Sequence, residues 1–173
     1  MPRQAIRNEG KGAEQLLLQL VENSQDSDSS KRGDAIVTVD GVGSYVEIKY
    51  TTSNTINQVR AVKFIPLVIY SPQMPLHWAV LPSNEVVRLV FEKARGQHTE
   101  LALECANMSL SGIPVTFRCS DEALSDAVHN TIREARKYSE LKRKMDELLA
   151  ELRGMETRYR AAVRDALRTG DAR

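Results

Sequence analysis

Histidine and cysteine are scarce in this chain, at three and two residues, and several chemistries fall with them. Cys105 and Cys119 stand apart, with no CxxC spacing and no histidine cluster beside either. A zinc site is therefore disfavoured, and reduced structural thiols in a cytoplasmic protein are the expectation. No Ser-His-Asp or Cys-His arrangement offers a nucleophile, so covalent catalysis is disfavoured as well. Long apolar runs are missing, and Met1-Pro2-Arg3-Gln4 lacks the hydrophobic region of a signal peptide, so no membrane partner is expected. An excess of one charge is missing too. With 24 basic and 23 acidic residues the formal net charge is +1, so nucleic-acid binding has to come from local clusters of Lys and Arg.

What remains is ordinary for a globular protein: 42% hydrophobic and 27% charged residues in 173. That length has room for one compact domain of about 120 residues and an appendage. Within it, one constellation carries chemistry. Asp34 precedes the apolar run Ala35-Ile36-Val37-Thr38-Val39, and Glu47-Ile48-Lys49 lies in the next one. In a strand, positions i and i+2 share a face, so Glu47 and Lys49 point the same way and Ile48 points into the core. The turn Asp40-Gly41-Val42-Gly43 folds the second run back on the first as a hairpin, which brings Asp34 toward Glu47. Glu14, on a helix upstream, adds a third carboxylate. A lone Glu-x-Lys is more often a solvated strand face; the full set of Glu14, Asp34, Glu47 and Lys49 is what a metal-dependent nuclease needs.

The pattern along the chain predicts α/β architecture. Residues 6–23 read as a helix with Ala13, Leu16, Leu17, Leu20 and Val21 on one stripe and Glu14 at its border. Residues 24–32, rich in Ser and Asp, read as a solvated loop. Strands follow over 34–39 and 44–50. Asn54 is placed to cap a helix over 55–63. Residues 64–70 and 77–81 read as strands separated by a Pro-containing turn, and Ser83 or Asn84 caps a helix carrying Val86, Val87, Leu89, Val90 and Phe91. Residues 101–110 and 115–118 read as two more strands. His77 and His129 read as structural, and the loop Arg95-Gly96-Gln97-His98-Thr99 as a solvated connection, with base reading as the alternative.

From residue 121 the character changes. Ser120 is placed to cap a long helix with Asp121 and Glu122 in its first turn. Beyond Tyr138 the apolar positions are Leu141, Met145, Leu148, Leu152, Met155, Tyr159, Ala162 and Ala166. Their spacing alternates four and three, a heptad seam that predicts a coiled coil, most simply a homodimer. The competing reading is a helix folded back along its own domain. The expected division is a core over 1–120 and a dimerisation arm over 121–173.

These residues bear a family likeness. Arg7-Asn8-Glu9-Gly10-Lys11-Gly12-Ala13-Glu14 resembles the opening Arg-x-x-Gly-x-x-x-Glu helix of the archaeal Holliday junction resolvases. Arg32-Gly33-Asp34-Ala35-Ile36-Val37 resembles their Pro-Asp-Ile-Val strand, with Gly33 in place of the proline. Val46-Glu47-Ile48-Lys49-Tyr50-Thr51 resembles their Glu-Val-Lys strand. The chain is thus similar to the PD-(D/E)xK nuclease superfamily, which also includes many restriction endonucleases. The likeness covers the first third to half of the chain and fades after about residue 60. It implies a restriction-endonuclease-like central mixed β-sheet flanked by helices, here followed by the long C-terminal helix.

Asp34 and Glu47, with the backbone carbonyl of Ile48, suit Mg2+, for which Mn2+ is the natural substitute. Lys49 is expected to position the attacking water or stabilise the transition state, and Glu14 to assist. Gln58 and Arg60, on the expected helix, read equally as phosphate contacts or as a mixed polar surface. Lys31, Arg32 and Lys63 complete the DNA-binding set with them. The leading expectation is a dimeric type II restriction endonuclease. A Holliday junction resolvase is the alternative, and a non-catalytic DNA-binding scaffold the reading from another class.

Overall fold

The computed structural model describes residues 2–91, 93, 96–97 and 104–170. It divides into two compact units, Met1–Tyr138 and Ser139–Arg173, and is mixed α/β. Among the described residues no helix is long and apolar enough to cross a membrane.

The first unit opens with α1 (Pro2–Leu20), followed by β1 (Ser24–Asp26), β2 (Ala35–Val39), β3 (Val42–Tyr50) and β4 (Thr55–Val59). Then come β5 (Leu67–Tyr70), β6 (Trp78–Leu81), α2 (Ser83–Phe91), β7 (Ala106–Ser109), β8 (Arg118–Cys119) and α3 (Asp121–Ala135). Six strands form one sheet in the order β1-β2-β3-β5-β6-β8, and β4 pairs with β7 in a separate ribbon. The pair β3–β5 is parallel and its neighbours are antiparallel, so the large sheet is mixed. A parallel pair needs a crossover between its strands; here it contains β4 and the turn Ala61–Lys63.

Strand alternation sorts the side chains to two cores. On one face Val37, Val46, Ile48, Val68, Trp78 and Val80 pack with Ala13, Leu17 and Val21 from α1 and its end, and with Leu124, Val128 and Ile132 of α3. Both helical stripes recur every four residues, the spacing that keeps one helix face inward. On the other face Leu67, Ile69, Ala79 and Leu81 pack with Val86 and Val90 of α2 and with Ile56, Val59, Ala106 and Met108 of the ribbon. Glu47 and Lys49 belong to this second face, in register with Leu67 and Ile69. The β2–β3 hairpin turns through Asp40 and Gly41, both at positive φ (51° and 78°), as the tight two-residue hairpin loop requires. Arg133 and Arg136, at the end of α3 and just beyond, ion-pair with Asp40 and hold that turn.

Several local expectations are corrected. Residues 55–59 are strand β4, not a helix, and only Ala61–Lys63 turns helically, as a single 3-10 turn. Asn54 therefore caps nothing: its side chain accepts a hydrogen bond from Ser111 N–H and donates to Ser109 Oγ, tying the ribbon together. Within 24–32, Ser24–Asp26 pairs along the free edge of β2. Val115–Phe117 is a 3-10 turn, leaving a two-residue strand at Arg118–Cys119. Of the strand expected over 101–110, residues 106–109 form β7, and 101–103 lie outside the described residues, as do Arg95, His98 and Thr99 of the polar loop. Ser120 does stand before α3 with extended backbone, but its hydroxyl makes no capping bond to the backbone.

α3 lies beyond residue 120 yet contributes Leu124, Val128 and Ile132 to the core of the first unit. The second unit is α4 (Ser139–Gly170), 32 residues. No side chain from 139 to 165 is buried. Ion pairs three and four residues apart run along it: Glu140–Arg143, Arg143–Glu147, Lys142–Asp146 and Glu156–Arg160.

Candidate active site

The site lies where β2 and β3 part. Their pairing ends at Ala35 opposite Val46, and the next residue outward on the β2 side is Asp34. Gly33 makes that position possible. A Cβ on Gly33 would lie 2.9 Å from Val46 O and 3.0 Å from Tyr45 Cβ, closer than a side chain can approach backbone. The contact accounts for glycine at this position. Gly33→Ala is expected to shift Asp34 away from β3 and destabilise the unit by about 1–3 kcal/mol, readable in urea denaturation. Unchanged stability would show that the chain yields freely at this point.

Asp34 N–H donates to Val46 O at 2.8 Å, and Asp34 Oδ2 accepts from Ile48 N–H at 2.7 Å. Past Ala35 the strand edge of β3 has no ladder partner, and the aspartate side chain takes that place. A residue's N–H and C=O leave a strand on the same edge, so the Ile48 carbonyl faces the Asp34 side too. Glu47 is 7% exposed and is held by two ammonium groups. Lys49 Nζ lies 2.8 Å from Oε1 and Lys63 Nζ 2.5 Å from Oε2.

Lys63, expected among the DNA-binding residues, lies at the centre of the site. The crossover brings it there, as Glu47 N–H donating to Pro66 O at 2.9 Å shows. No local pattern announces this, because the contact depends on β3 and β5 running parallel.

The charges are unevenly balanced. Burial pushes the Asp34 carboxyl above its usual range, and the nearby Glu47 pushes it further. Burial likewise raises Glu14, with Asp34 the next cause. Burial would raise Glu47 as well, but Lys49 and Lys63 outweigh it and hold this carboxyl below the usual range. Asp34 thus feels the charge of Glu47, and Glu14 that of Asp34, and neither Asp34 nor Glu14 is fully compensated. A cation between Asp34 and Glu47 would relieve that, and an all-oxygen donor set of two carboxylates and a carbonyl suits a hard divalent ion. Among the described residues no three His, Cys, Asp or Glu side chains converge as a ready cage.

Stability should report these signs without any substrate. A raised carboxyl contributes stability that is complete below its unfolded pKa of about 3.9 and is lost as pH rises through the folded value. At neutral pH in chelator, Asp34→Asn is therefore expected to raise Tm by roughly 1–3 °C, small because solvent screens the group. Glu47 has the opposite sign: its contribution is present above an unfolded pKa of about 4.3 and fades as pH falls through its depressed folded value. Glu47→Gln is expected to cost about 2–4 kcal/mol at neutral pH, leaving two lysines without a counter-charge. Melting curves of both variants from pH 3 to 8 check this; equal shifts of one sign would contradict it.

The remaining expected residues are not drawn in. Gln58 and Arg60 are exposed and do not share a helix. Gln58 sits at an irregularity of β4 with φ 55°, its N–H donating to Gln97 Oε1 and Asn107 Oδ1. Lys31 and Arg32 are exposed on the loop before Gly33. Arg32 donates to Tyr45 Oη at 3.4 Å with its guanidinium 5.8 Å from that ring's centre, while the same hydroxyl donates to Asp28. Among the described residues, none of these four bonds a site carboxylate.

No protein-family model matches the chain, and no curated protein and no solved structure matches it either.

Proposed function

We propose that the protein is a metal-dependent DNA endonuclease of the PD-(D/E)xK type, a homodimeric type II restriction endonuclease in the first instance. The observation that carries this reading is the meeting of Asp34, Glu47 and Lys49 at the parting of β2 and β3. The mixed sheet with helices against it is compatible with a restriction-endonuclease-like fold.

In this reading Asp34, Glu47 and the Ile48 carbonyl would hold Mg2+, which would supply Lewis acidity toward water and the scissile phosphate. The chain's own groups do the rest. Ile48 N–H fixes one oxygen of Asp34 and leaves the other for the ion. Lys49 and Lys63 keep Glu47 ionised within a buried setting. With a cation held beside Glu47, Lys49 and Lys63, which now pair with its two oxygens, would be the groups able to turn toward the phosphate. Lys49 then orients the attacking water and Lys63 neutralises a phosphate oxygen. Glu14, its carboxyl pushed up, exchanges protons closer to neutrality than an ordinary glutamate. Lys31, Arg32 and Arg60 supply exposed positive charge for the DNA backbone.

The test is incubation with Mg2+ and plasmid, phage DNA and a synthetic four-way junction, beside a Glu47→Ala control. Discrete fragments absent from the control are the expected result. Cleavage confined to the junction would make the protein a resolvase. DNA binding with no metal-dependent cleavage of any substrate would leave a non-catalytic scaffold.

A further inference from the structure

We infer that α4 pairs with a second copy of itself in antiparallel orientation, in the register that sets Glu151 of each copy against Arg158 of the other. This rests on the homodimer reading and specifies the surface, the direction and the residues that select them.

The surface is the apolar seam. Leu148, Met155 and Tyr159 are 59%, 54% and 70% exposed, and nothing in the helix itself can cover them. The occupant is indicated by charge. Most acidic and basic residues of α4 find partners one turn away along the same helix, as in Glu140–Arg143 and Glu156–Arg160. Glu151 and Arg158 have no such option. Three and four residues from Glu151 lie Glu147, Leu148, Gly154 and Met155; around Arg158 lie Gly154, Met155, Ala161 and Ala162. Both residues flank the seam, directly before Leu152 and Tyr159, where charges set partner and orientation in a coiled coil.

The heptad assignment follows from the alternation. Leu141, Leu148, Met155 and Ala162 are d positions, and Met145, Leu152 and Tyr159 are a positions. The g positions are then Lys144, Glu151, Arg158 and Asp165, and the e positions Lys142, Leu149, Glu156 and Val163. In a parallel, in-register pair each g faces the following e of the partner. Glu151 would meet Glu156, a repulsion occurring twice by symmetry. Lys144 and Arg158 would meet Leu149 and Val163, which offer nothing in return.

In an antiparallel pair g faces g. One register sets Glu151 against its own copy and Lys144 against Arg158, both repulsive. The register one heptad away sets Glu151 against Arg158 and Lys144 against Asp165, each pair occurring twice. Its core layers are Leu152 on Met155, Leu148 on Tyr159 and Met145 on Ala162. Side chains lean toward the N-terminus of their own helix, so facing g residues in this orientation lean toward each other. The two copies of Ser139 then lie roughly 44 Å apart along the arm, at 1.5 Å per residue.

The experiment is sedimentation equilibrium of the full chain at low salt, with four proteins: wild type, Glu151→Lys, Arg158→Glu and the double variant. All substitutions are on an exposed helix face, and circular dichroism confirms folding. Each single variant is expected to weaken the dimer about tenfold and the double variant to restore it, since two exposed ion pairs change sign and then change back. A parallel dimer would give the contrary pattern: Glu151→Lys tightens association and Arg158→Glu leaves it alone. A wild-type dimer indifferent to all three variants would overturn the register and leave the homodimer standing. A monomeric wild type would overturn both, and neither result depends on whether the protein cleaves DNA.

Discussion

Replacing Lys49 with methionine is expected to lower metal-dependent cleavage by about 10²–10³-fold while the protein stays folded. That is the effect of removing one preorganised charge from a site where negative charge develops. The fold should survive because Lys63 remains on the other oxygen of Glu47, 2.5 Å away, so the buried carboxylate keeps one counter-charge. The Lys49 side chain is 22% exposed, enough to turn from Glu47 to an incoming phosphate. The measurement is a single-turnover rate at saturating Mg2+, with Glu47→Ala alongside. Glu47→Ala should abolish cleavage by removing a metal ligand, whereas Lys49→Met should retain metal binding and lose rate. A Lys49→Met protein within about threefold of wild type would remove Lys49 from the chemistry.

Trp78→Ala is expected to cost about 3–5 kcal/mol of unfolding free energy, a large fraction of what a domain of this size possesses. Trp78, the only tryptophan, is fully buried on β6. Its ring lies 4.8 Å from that of Tyr70 at a tilt of 59°. Its indole Nε1–H donates to Asp121 Oδ1 at 2.7 Å, tying the first residue of α3 to the sheet. The substitution thus leaves a cavity and also frees the helix that covers Val37 and Val80. Trp78→Phe separates the two effects: it keeps most of the ring volume and loses the bond, for about 1–3 kcal/mol. Urea denaturation followed by far-ultraviolet circular dichroism reads both. Equal losses would mean that the bond to Asp121 dominates and packing contributes little.

The hairpin that carries Asp34 and Glu47 was legible because every signal in it is local. Alternating apolar residues mark both strands, and Asp40-Gly41 supplies the positive φ angles that the turn needs. Strand β4 was hidden by a specific irregularity. Ile56 and Val59 are both buried, three residues apart, which is a helical spacing; the strand accommodates it by a register shift at Gln58. A period-two pattern broken by one extra residue cannot be told from a short helix by periodicity alone. The Thr, Ile and Val content of the segment pointed to strand, and the capping preference of Asn54 pointed the other way. Similarly, α3 and α4 read as one run because both are strong helix formers, yet only α3 has the i, i+4, i+8 stripe of Leu124, Val128 and Ile132 that the sheet buries.

The site divides along the same line. Glu47 and Lys49 are neighbours by strand geometry, so their proximity follows from two residues of sequence. Asp34 follows from one hairpin. Lys63 depends on a crossover and a parallel pairing, and these are properties of the whole sheet. Lys31, Arg32, Gln58 and Arg60 are close to the site in sequence and exposed, and local pattern alone does not say which of them faces a DNA backbone.

The most direct measurement is a calorimetric titration of Mn2+ into the metal-free protein, repeated with Asp34→Asn and Glu47→Gln. The account predicts saturable binding to the wild type and a loss of at least tenfold in affinity in each variant. It also predicts binding that weakens as pH falls, starting above the usual aspartate range because Asp34 holds its proton more strongly. No saturable binding, or binding that both variants retain in full, would contradict a metal site at the parting of β2 and β3.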